Sequence, residues 1–324
     1  MKKKILIIIT GGTITMKDYN DSIDISEKLL SKLNSSNVLS SYDLDYEVEI
    51  FSSKPSPNFS CYDMFSLCRY IEKKILTNSF DGFVIAHGTD TIEETSFFLD
   101  LYFSDLKFPI VFTGSMKTFF DPSYDGYENL ISSVLVASKN QAKKYGVLIA
   151  FNNNIISALG VSKFHTQNID SFKSINIPYV GNIQNGIVSF NYIPNRFILS
   201  KISKIKNNIF IYKSFSGDNG LFLKYNNVDF DGLIIEGFGN GNLPENLLYF
   251  LRNTINKKIP IIISSRVPDG LLFQNYSYPG GGKNLSKLGC LFNESLNSQK
   301  LRILLVYLTS LDYSFFDIQK FFSK

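Results

Sequence analysis

Two glycine-containing turns place hydroxyl and carboxylate side chains directly after apolar runs of the chain. Thr13 follows Gly11-Gly12, and the pair Thr89-Asp90 follows His87-Gly88. Glycine allows positive φ and a close approach of the backbone to a ligand, so Thr13 can present its hydroxyl and its N–H to a cleft. A threonine hydroxyl becomes a useful nucleophile or proton relay only when a base or a cation activates it. These residue types therefore permit hydroxyl-based nucleophilic catalysis.

Each turn also has an ordinary structural interpretation. Thr13 can simply end a strand, and Asp90 or Thr91 can cap a helix whose first turn carries two glutamates at the positive end of its dipole. Lys163 could activate a hydroxyl if its ammonium were desolvated, although a lone lysine is more typical of a solvated surface. A phosphate-binding loop is disfavoured at Gly11-Gly12, because the Gly-Lys-Ser/Thr continuation is missing.

Alternating strands and helices must hold these residues in place. Short β-branched runs are each followed by a longer segment of helical period, which predicts parallel sheets covered by helices. The first series predicts strands over Ile5–Thr10, Val48–Phe51, Phe83–His87, Ile110–Thr113 and Val147–Phe151, and helices over Ser60–Thr77, Thr91–Phe103 and Gly126–Lys139. The second predicts strands over Ile209–Tyr212, Gly232–Glu236 and Ile259–Ser264, and helices around Pro244–Asn256 and Ser298–Ser310. Ligands of open α/β sheets bind beyond the carboxyl ends of the strands, so the turns at Thr13 and Thr89 are predicted to share one sheet edge.

The segment between the two series separates two predicted domains. Ile177–Asn207 is rich in Asn, Gly and Pro and has little helical period, which indicates a hairpin followed by a linker. We expect a larger N-terminal α/β catalytic domain over residues 1–190, a linker over 191–208 and a smaller C-terminal α/β domain over 209–324.

Composition excludes several classes of protein. The chain has 324 residues, of which 44% are hydrophobic and 19% charged, as in soluble globular proteins. The net charge of +4 comes mainly from scattered lysines without a basic stripe, which argues against a nucleic-acid partner. Only His87 and His165 are histidines, so a histidine-rich metal site is not expected. We expect neither a metal nor another cofactor.

The N-terminal run and the cysteines indicate a cytoplasmic protein. Ile5–Ile9 is too short for the apolar part of a signal peptide, and no later stretch is long enough to span a bilayer. The cysteines are odd in number and have no metal-ligand spacing, so reduced thiols are expected at Cys61, Cys68 and Cys290.

The segments around the two turns resemble the signature sequences of the bacterial-type L-asparaginase/glutaminase family. These segments are Thr10–Ile14, TGGTI, and Gly82–Ile92, GFVIAHGTDTI. The pair is far more specific than either half. Similar segments follow in the same order at Phe112–Lys117, Gly146–Phe151 with Val161–Lys163, Ile235–Asn242, Ser264–Arg266 and Tyr278–Leu285.

The resemblance implies roles for individual residues. Thr13 would attack the side-chain amide carbon of the substrate to give an acyl-enzyme, which water then hydrolyses. Thr89, Asp90 and Lys163 would form a hydroxyl–carboxylate–ammonium group that activates the nucleophile or the water. Which threonine attacks first stays open.

The resemblance also implies how the substrate is held. Asp90, with Thr89 beside it, would pair with the α-ammonium of the substrate, and Ser56 would hold the α-carboxylate. Asn242 would be contributed by a neighbouring subunit of a homodimer or homotetramer. Tyr19 is the candidate for the tyrosine that a mobile lid of this family places against the nucleophile, although it lies closer to Thr13 than in many relatives.

Three functions are compatible with this pattern. The first is hydrolysis of L-asparagine, with weaker action on L-glutamine. The second is the glutaminase component of an archaeal-type tRNA-dependent amidotransferase, for which an extra N-terminal domain would be expected before the predicted strand at Ile5. The third is an amino-acid-binding paralogue without turnover, which would be expected to lose at least one of Thr13, Thr89, Asp90 and Lys163.

Overall fold

The computed structural model describes residues 2–15, 38–77, 80–225 and 229–323. It divides the chain into two compact units, Met1–Leu199 and Ser200–Lys324. Each unit is built on its own sheet, and the predicted two-domain α/β class is confirmed.

The first unit contains a large, mainly parallel sheet. The strands of this unit in the described ranges are β1 Lys3–Ile9, β2 Leu44–Ile50, β3 Gly82–Ala86, β4 Ile110–Thr113, β5 Leu148–Phe151, β6 Asn154–Ser157, β7 Val161–Lys163, β8 Phe172–Ser174, β9 Gly181–Gln184 and β10 Ile187–Phe190. Within those ranges, eight of them form one sheet in the order β10-β9-β6-β5-β4-β3-β1-β2. Strands β1 to β5 pair in parallel, and the antiparallel strands β6, β9 and β10 continue the sheet beyond β5.

Burial explains why the central strands are apolar throughout. All residues of β3, β4 and β5 are buried, since helices cover both faces of a parallel sheet. The helices of this unit are α1 Val38–Ser41, α2 Cys61–Thr77, α3 Ile92–Tyr102 and α4 Gly126–Ala137. All residues of α3 except Glu94 are buried, so this helix is firmly held between the sheet and its neighbours.

Two hairpins carry residues important for the argument below. Strands β7 and β8 pair with each other in a separate two-stranded sheet, and Lys163 is the last residue of β7. Strands β9 and β10 form the predicted hairpin, whose turn residues Asn185 and Gly186 both have positive φ, at 50° and 75°. Positive φ at both central positions is typical of the tight turns that join antiparallel strands.

The second unit has a smaller parallel sheet. Its described strands are β11 Ile209–Lys213, β12 Gly232–Gly237, β13 Ile261–Ser265 and β14 Leu291–Phe292, in that order across the sheet. Its described helices are α5 Leu221–Tyr225, α6 Leu248–Asn256, α7 Gly282–Leu288, α8 Ser298–Ser310 and α9 Phe315–Phe322. Within the described ranges, no helix is both long enough and apolar enough to cross a membrane.

Candidate active site

The turns that follow β1 and β3 leave the sheet side by side. The two strands pair in parallel with Ile9 opposite Ala86, and the N–H of Thr10 continues the ladder by donating to the carbonyl of Ala86 at 3.0 Å. The predicted common edge for Thr13 and Thr89 therefore exists. It follows from parallel pairing, which brings the carboxyl ends of neighbouring strands together.

Glycine is required where these turns meet. Gly12 has φ of +91°, and a Cβ placed there would lie 2.2 Å from the Cα of Gly88. Gly11 has φ of +105°, and its Cβ would lie 2.4 Å from the carbonyl oxygen of Lys54. The backbones touch directly, so any side chain would push them apart. Thr13 comes next in a short 3₁₀ turn, Thr13–Thr15, and is partly exposed.

Ser56 belongs to the same contact. It begins a 3₁₀ turn directly after Pro55 and is buried. A Cβ on Gly88 would lie 2.6 Å from the Ser56 hydroxyl oxygen and 3.2 Å from the Cα of Gly12. The hydroxyl of Thr91 donates to the Ser56 carbonyl at 3.0 Å, which ties this turn to the start of α3. Three turns from distant parts of the sequence therefore meet at Gly88.

Lys163 connects the two candidate groups of the β3 turn. Its Nζ donates to Thr89 Oγ1 at 2.9 Å and to Asp90 Oδ1 at 2.5 Å. Its side chain is 18% exposed, whereas that of Asp90 is 58% exposed. The ammonium is thus held against the buried Thr89 hydroxyl while the carboxylate faces solvent. If the lysine loses its proton, the same nitrogen can accept the proton of Thr89.

Glu93 holds the backbone of the lysine strand, a role that the sequence does not indicate. This buried carboxylate, in the first turn of α3, accepts the backbone N–H of Lys163 at 3.3 Å. The sequence predicts for it only a favourable charge at a helix N-terminus. Thr91 occupies the N-cap position without capping through its side chain, because its hydroxyl bonds to Ser56 instead.

His87 lies behind the edge and is fully buried. Its Nδ1 is 2.5 Å from the Thr10 hydroxyl, and its Nε2 is 3.0 Å from the Thr95 hydroxyl. The rings of Phe59 and Phe112 lie edge-on to the imidazole. Burial lowers the pKa of His87 to about 3, so the ring is neutral at physiological pH.

Two predicted site residues lie outside this group. Tyr19 falls in residues 16–37, outside the described residues. Asn242 lies in the second unit, where its backbone N–H and carbonyl pair with Phe238. The side-chain oxygen of Asn242 is buried without a hydrogen-bond partner among the described residues.

Comparison with known proteins decides the family. The family model "Asparaginase, N-terminal" matches residues 4–196, and the model "Glutaminase/Asparaginase C-terminal domain" matches residues 208–322. The chain belongs to the bacterial asparaginase family. This asparaginase-family chain is 28% identical to an L-asparaginase of Bacillus licheniformis over 314 residues, covering 95% of this chain and 96% of that protein. It is 30% identical to L-asparaginase 2 of Escherichia coli strain K12 over 311 residues, covering 93% and 87%.

A solved structure and a more distant relative extend the comparison. A probable cytoplasmic L-asparaginase from Campylobacter jejuni matches with a TM-score of 0.84 and 31% identity, each chain being covered completely. A component of the glutamyl-tRNA(Gln) amidotransferase from Methanobrevibacter smithii is 30% identical over 298 residues, covering 85% of this chain and 65% of that protein. Sequence similarity therefore extends to both enzyme types that the motifs leave open.

Proposed function

We propose that this asparaginase-family enzyme hydrolyses L-asparagine to L-aspartate and ammonia, with weaker action on L-glutamine. The observation that carries the proposal is the position of the Lys163 ammonium, which faces Thr89 and Asp90 on the turn that touches the Thr13 turn. A hydroxyl, a carboxylate and an ammonium in mutual contact are what an amide hydrolase with a hydroxyl nucleophile uses to move protons.

The proposed reaction has two halves. The Thr13 hydroxyl oxygen attacks the side-chain amide carbon, and the resulting oxyanion accepts hydrogen bonds from backbone N–H groups at the Thr89 turn. Collapse breaks the C–N bond, and the departing nitrogen takes a proton to leave as ammonia. Water then attacks the threonyl ester, and its proton passes to the Thr89–Lys163 pair as Thr13 is released. Thr13 is our first choice of nucleophile; exchange of the two threonine roles is the alternative.

Charge complementarity supports an amino-acid substrate. The exposed Asp90 carboxylate is available to the α-ammonium, and the Ser56 hydroxyl is proposed to bind the α-carboxylate. Thr89 lies between these groups and the proposed nucleophile. A substrate lacking either charge would leave its partner unpaired, which costs on the order of 1–3 kcal/mol or more.

We further propose the assembly and location of the enzyme. Asn242 of a neighbouring subunit would complete each site in a homodimer or homotetramer, and Tyr19 would contact the nucleophile from a lid. The similarity to a probable cytoplasmic L-asparaginase supports a cytoplasmic location. Neither a nucleic acid nor a membrane is proposed as a partner.

Ammonia release by purified protein tests the proposal. Release from L-asparagine should exceed release from L-glutamine, and Thr13→Ala and Thr89→Val should each lower kcat by roughly a hundredfold or more. Thr77→Val is the matched control, because this hydroxyl only donates to the Lys73 carbonyl at the end of α2. If Thr89→Val alone blocked acylation while Thr13→Ala still formed an acyl-enzyme, the two threonine roles would be exchanged.

The competing functions give different outcomes. Binding of asparagine without release of ammonia from either amide would support an amino-acid-binding paralogue. Release from glutamine that depends on a misacylated tRNA would support the amidotransferase component, which similarity to the Methanobrevibacter smithii protein keeps as the second candidate.

A further inference from the structure

The phenol of Tyr124 reaches the turn that carries Thr13. Its hydroxyl donates to the backbone carbonyl of Ile14 at 2.9 Å, although the two residues are 110 positions apart in the sequence. Ile14 directly follows Thr13 and is fully buried. This hydrogen bond therefore restrains the backbone one residue beyond the proposed nucleophile.

The Tyr124 ring is held so that its hydroxyl has a defined direction. Phe119 packs against it with ring centroids 5.4 Å apart. The ring also lies over Gly126, where an added Cβ would come within 2.2 Å of the phenol oxygen. Burial, with the Asp125 carboxylate as the second cause, raises the pKa of Tyr124 above its ordinary value. The phenol keeps its proton at working pH and remains a donor.

The next residue restrains the other half of the site. The carboxylate of Asp125 accepts the backbone N–H groups of Met116 and Lys117, each at 3.1 Å. These residues belong to the loop that begins at Gly114 after β4. A Cβ on Gly114 would lie 3.2 Å from the methyl group of Thr89. Two consecutive residues before α4 thus hold the turn of Thr13 and the loop beside Thr89.

We propose that Tyr124 is a positioning residue that sets the place of the Thr13 hydroxyl through Ile14. The inference rests on the proposed role of Thr13. A three-residue 3₁₀ turn has few internal hydrogen bonds, so an external donor from a packed ring has a large share in its geometry. A displacement of a reacting group by about 1 Å can lower a rate by about a hundredfold.

Tyr124→Phe tests this role, because it keeps the ring and removes only the donor. We expect kcat for asparagine to fall about tenfold and KM to change less than about twofold, since Thr13 moves while the charged groups that bind substrate do not. Tyr145→Phe is the matched control: this phenol belongs to the same core and stacks on Phe190 at 4.5 Å, and kcat should stay unchanged.

The outcomes separate this inference from the proposed function. A variant with a lower Tm and an unchanged kcat would mean that Tyr124 only stabilises the fold, and the inference would be overturned. If Thr13→Ala abolishes turnover while Tyr124→Phe matches the unmodified enzyme, this inference alone fails. If Thr13→Ala remains fully active, the nucleophile assignment fails and Tyr124 has no such target.

Discussion

Lys163 is the residue whose surroundings most restrict what the site can do. Its ammonium contacts a buried hydroxyl on one side and an exposed carboxylate on the other. Burial of an unpaired ammonium is costly, so Asp90 keeps the charged form of the lysine compatible with its position. The same carboxylate is open to an incoming α-ammonium. Substrate binding and proton transfer are therefore coupled through one lysine.

Lys163→Met should separate proton transfer from strand packing. Removal of the ammonium leaves Thr89 without its partner, and we expect kcat for asparagine to fall roughly a hundredfold or more. Lys173→Met is the matched control, because Lys173 lies on the paired strand β8 and forms an exposed ion pair with Asp170. Steady-state kinetics of both variants check the prediction, which fails if they lose activity equally.

His87→Gln should change how stability depends on pH. An ordinary histidine has a pKa of 6.5, whereas buried His87 has a pKa of about 3. Between these values the unfolded chain binds a proton that the folded chain does not. The free energy of unfolding therefore falls as the pH drops below 6.5, by about 1.4 kcal/mol per pH unit.

The variant lacks this site, so the stability gap between it and the unmodified chain should narrow toward acid. From about pH 7.5 to about pH 5 we expect the gap to shrink by about 2 kcal/mol in urea unfolding. A gap of the same size at both pH values would show that the histidine titrates alike in the folded and unfolded chains.

At the scale of elements, the contact between Gly12 and Gly88 sets the distance between the two catalytic turns. β1 and β3 are neighbours in the sheet, so their turns start about 5 Å apart, the spacing of paired strands. The absence of side chains at both glycines lets the two backbones approach still closer. This explains why two glycines accompany the nucleophile.

Gly12→Ala should disrupt the edge more than its positive φ alone would. The new methyl would lie 2.2 Å from a backbone carbon that cannot rotate away, so we expect activity to fall at least tenfold and stability to fall by more than about 2 kcal/mol. Gly217→Ala is the matched control, because Gly217 has φ of +79° and open space around it, and should cost only about 1 kcal/mol. Thermal unfolding and asparagine turnover measure both. Equal losses of stability would show that dihedral strain, and not the clash, governs the turn.

The main elements could be predicted from the sequence because their burial is written as continuous apolar runs. The strand at Ile110–Thr113 and the helix at Ser298–Ser310 have the predicted bounds. The predicted start of β2 is wrong by four residues, since this outer strand mixes exposed and buried residues from Leu44 onward. Short elements such as the hairpin of Val161–Lys163 and Phe172–Ser174 were missed, because three residues are too few to show a period.

The candidate site was only partly predictable for a different reason. Thr89, Asp90 and Lys163 could be named from their motifs, and the structure brings them together. Glu93 and Tyr124 act on backbone groups far away in the sequence. A bond to a backbone group can be made with any residue type, so it leaves no pattern at the accepting position.

At the scale of the whole molecule, the two units contribute different kinds of residue to the proposed chemistry. The nucleophile and the lysine group belong to the first unit, and Asn242 belongs to the second. The Asn242 amide oxygen is buried without a partner among the described residues, whereas its backbone groups are paired in the turn with Phe238. A residue with a fixed backbone and an unused acceptor is suited to a role that a further molecule completes.

Mixed assembly of two inactive variants tests whether that molecule is a second copy of the chain. Thr13→Ala and Asn242→Ala should each be nearly inactive alone. If each site takes Thr13 from one subunit and Asn242 from its neighbour, a mixed dimer contains one site with both residues intact. Refolding equal amounts together should then restore about a quarter of the unmodified activity, because about half of the dimers are mixed and each has one of two sites. Ser277→Ala in place of Asn242→Ala is the control for the mixing itself and should leave that parent active before mixing. No recovery in assemblies shown to be mixed would place Asn242 and Thr13 of the same chain in one site, or remove Asn242 from the site altogether.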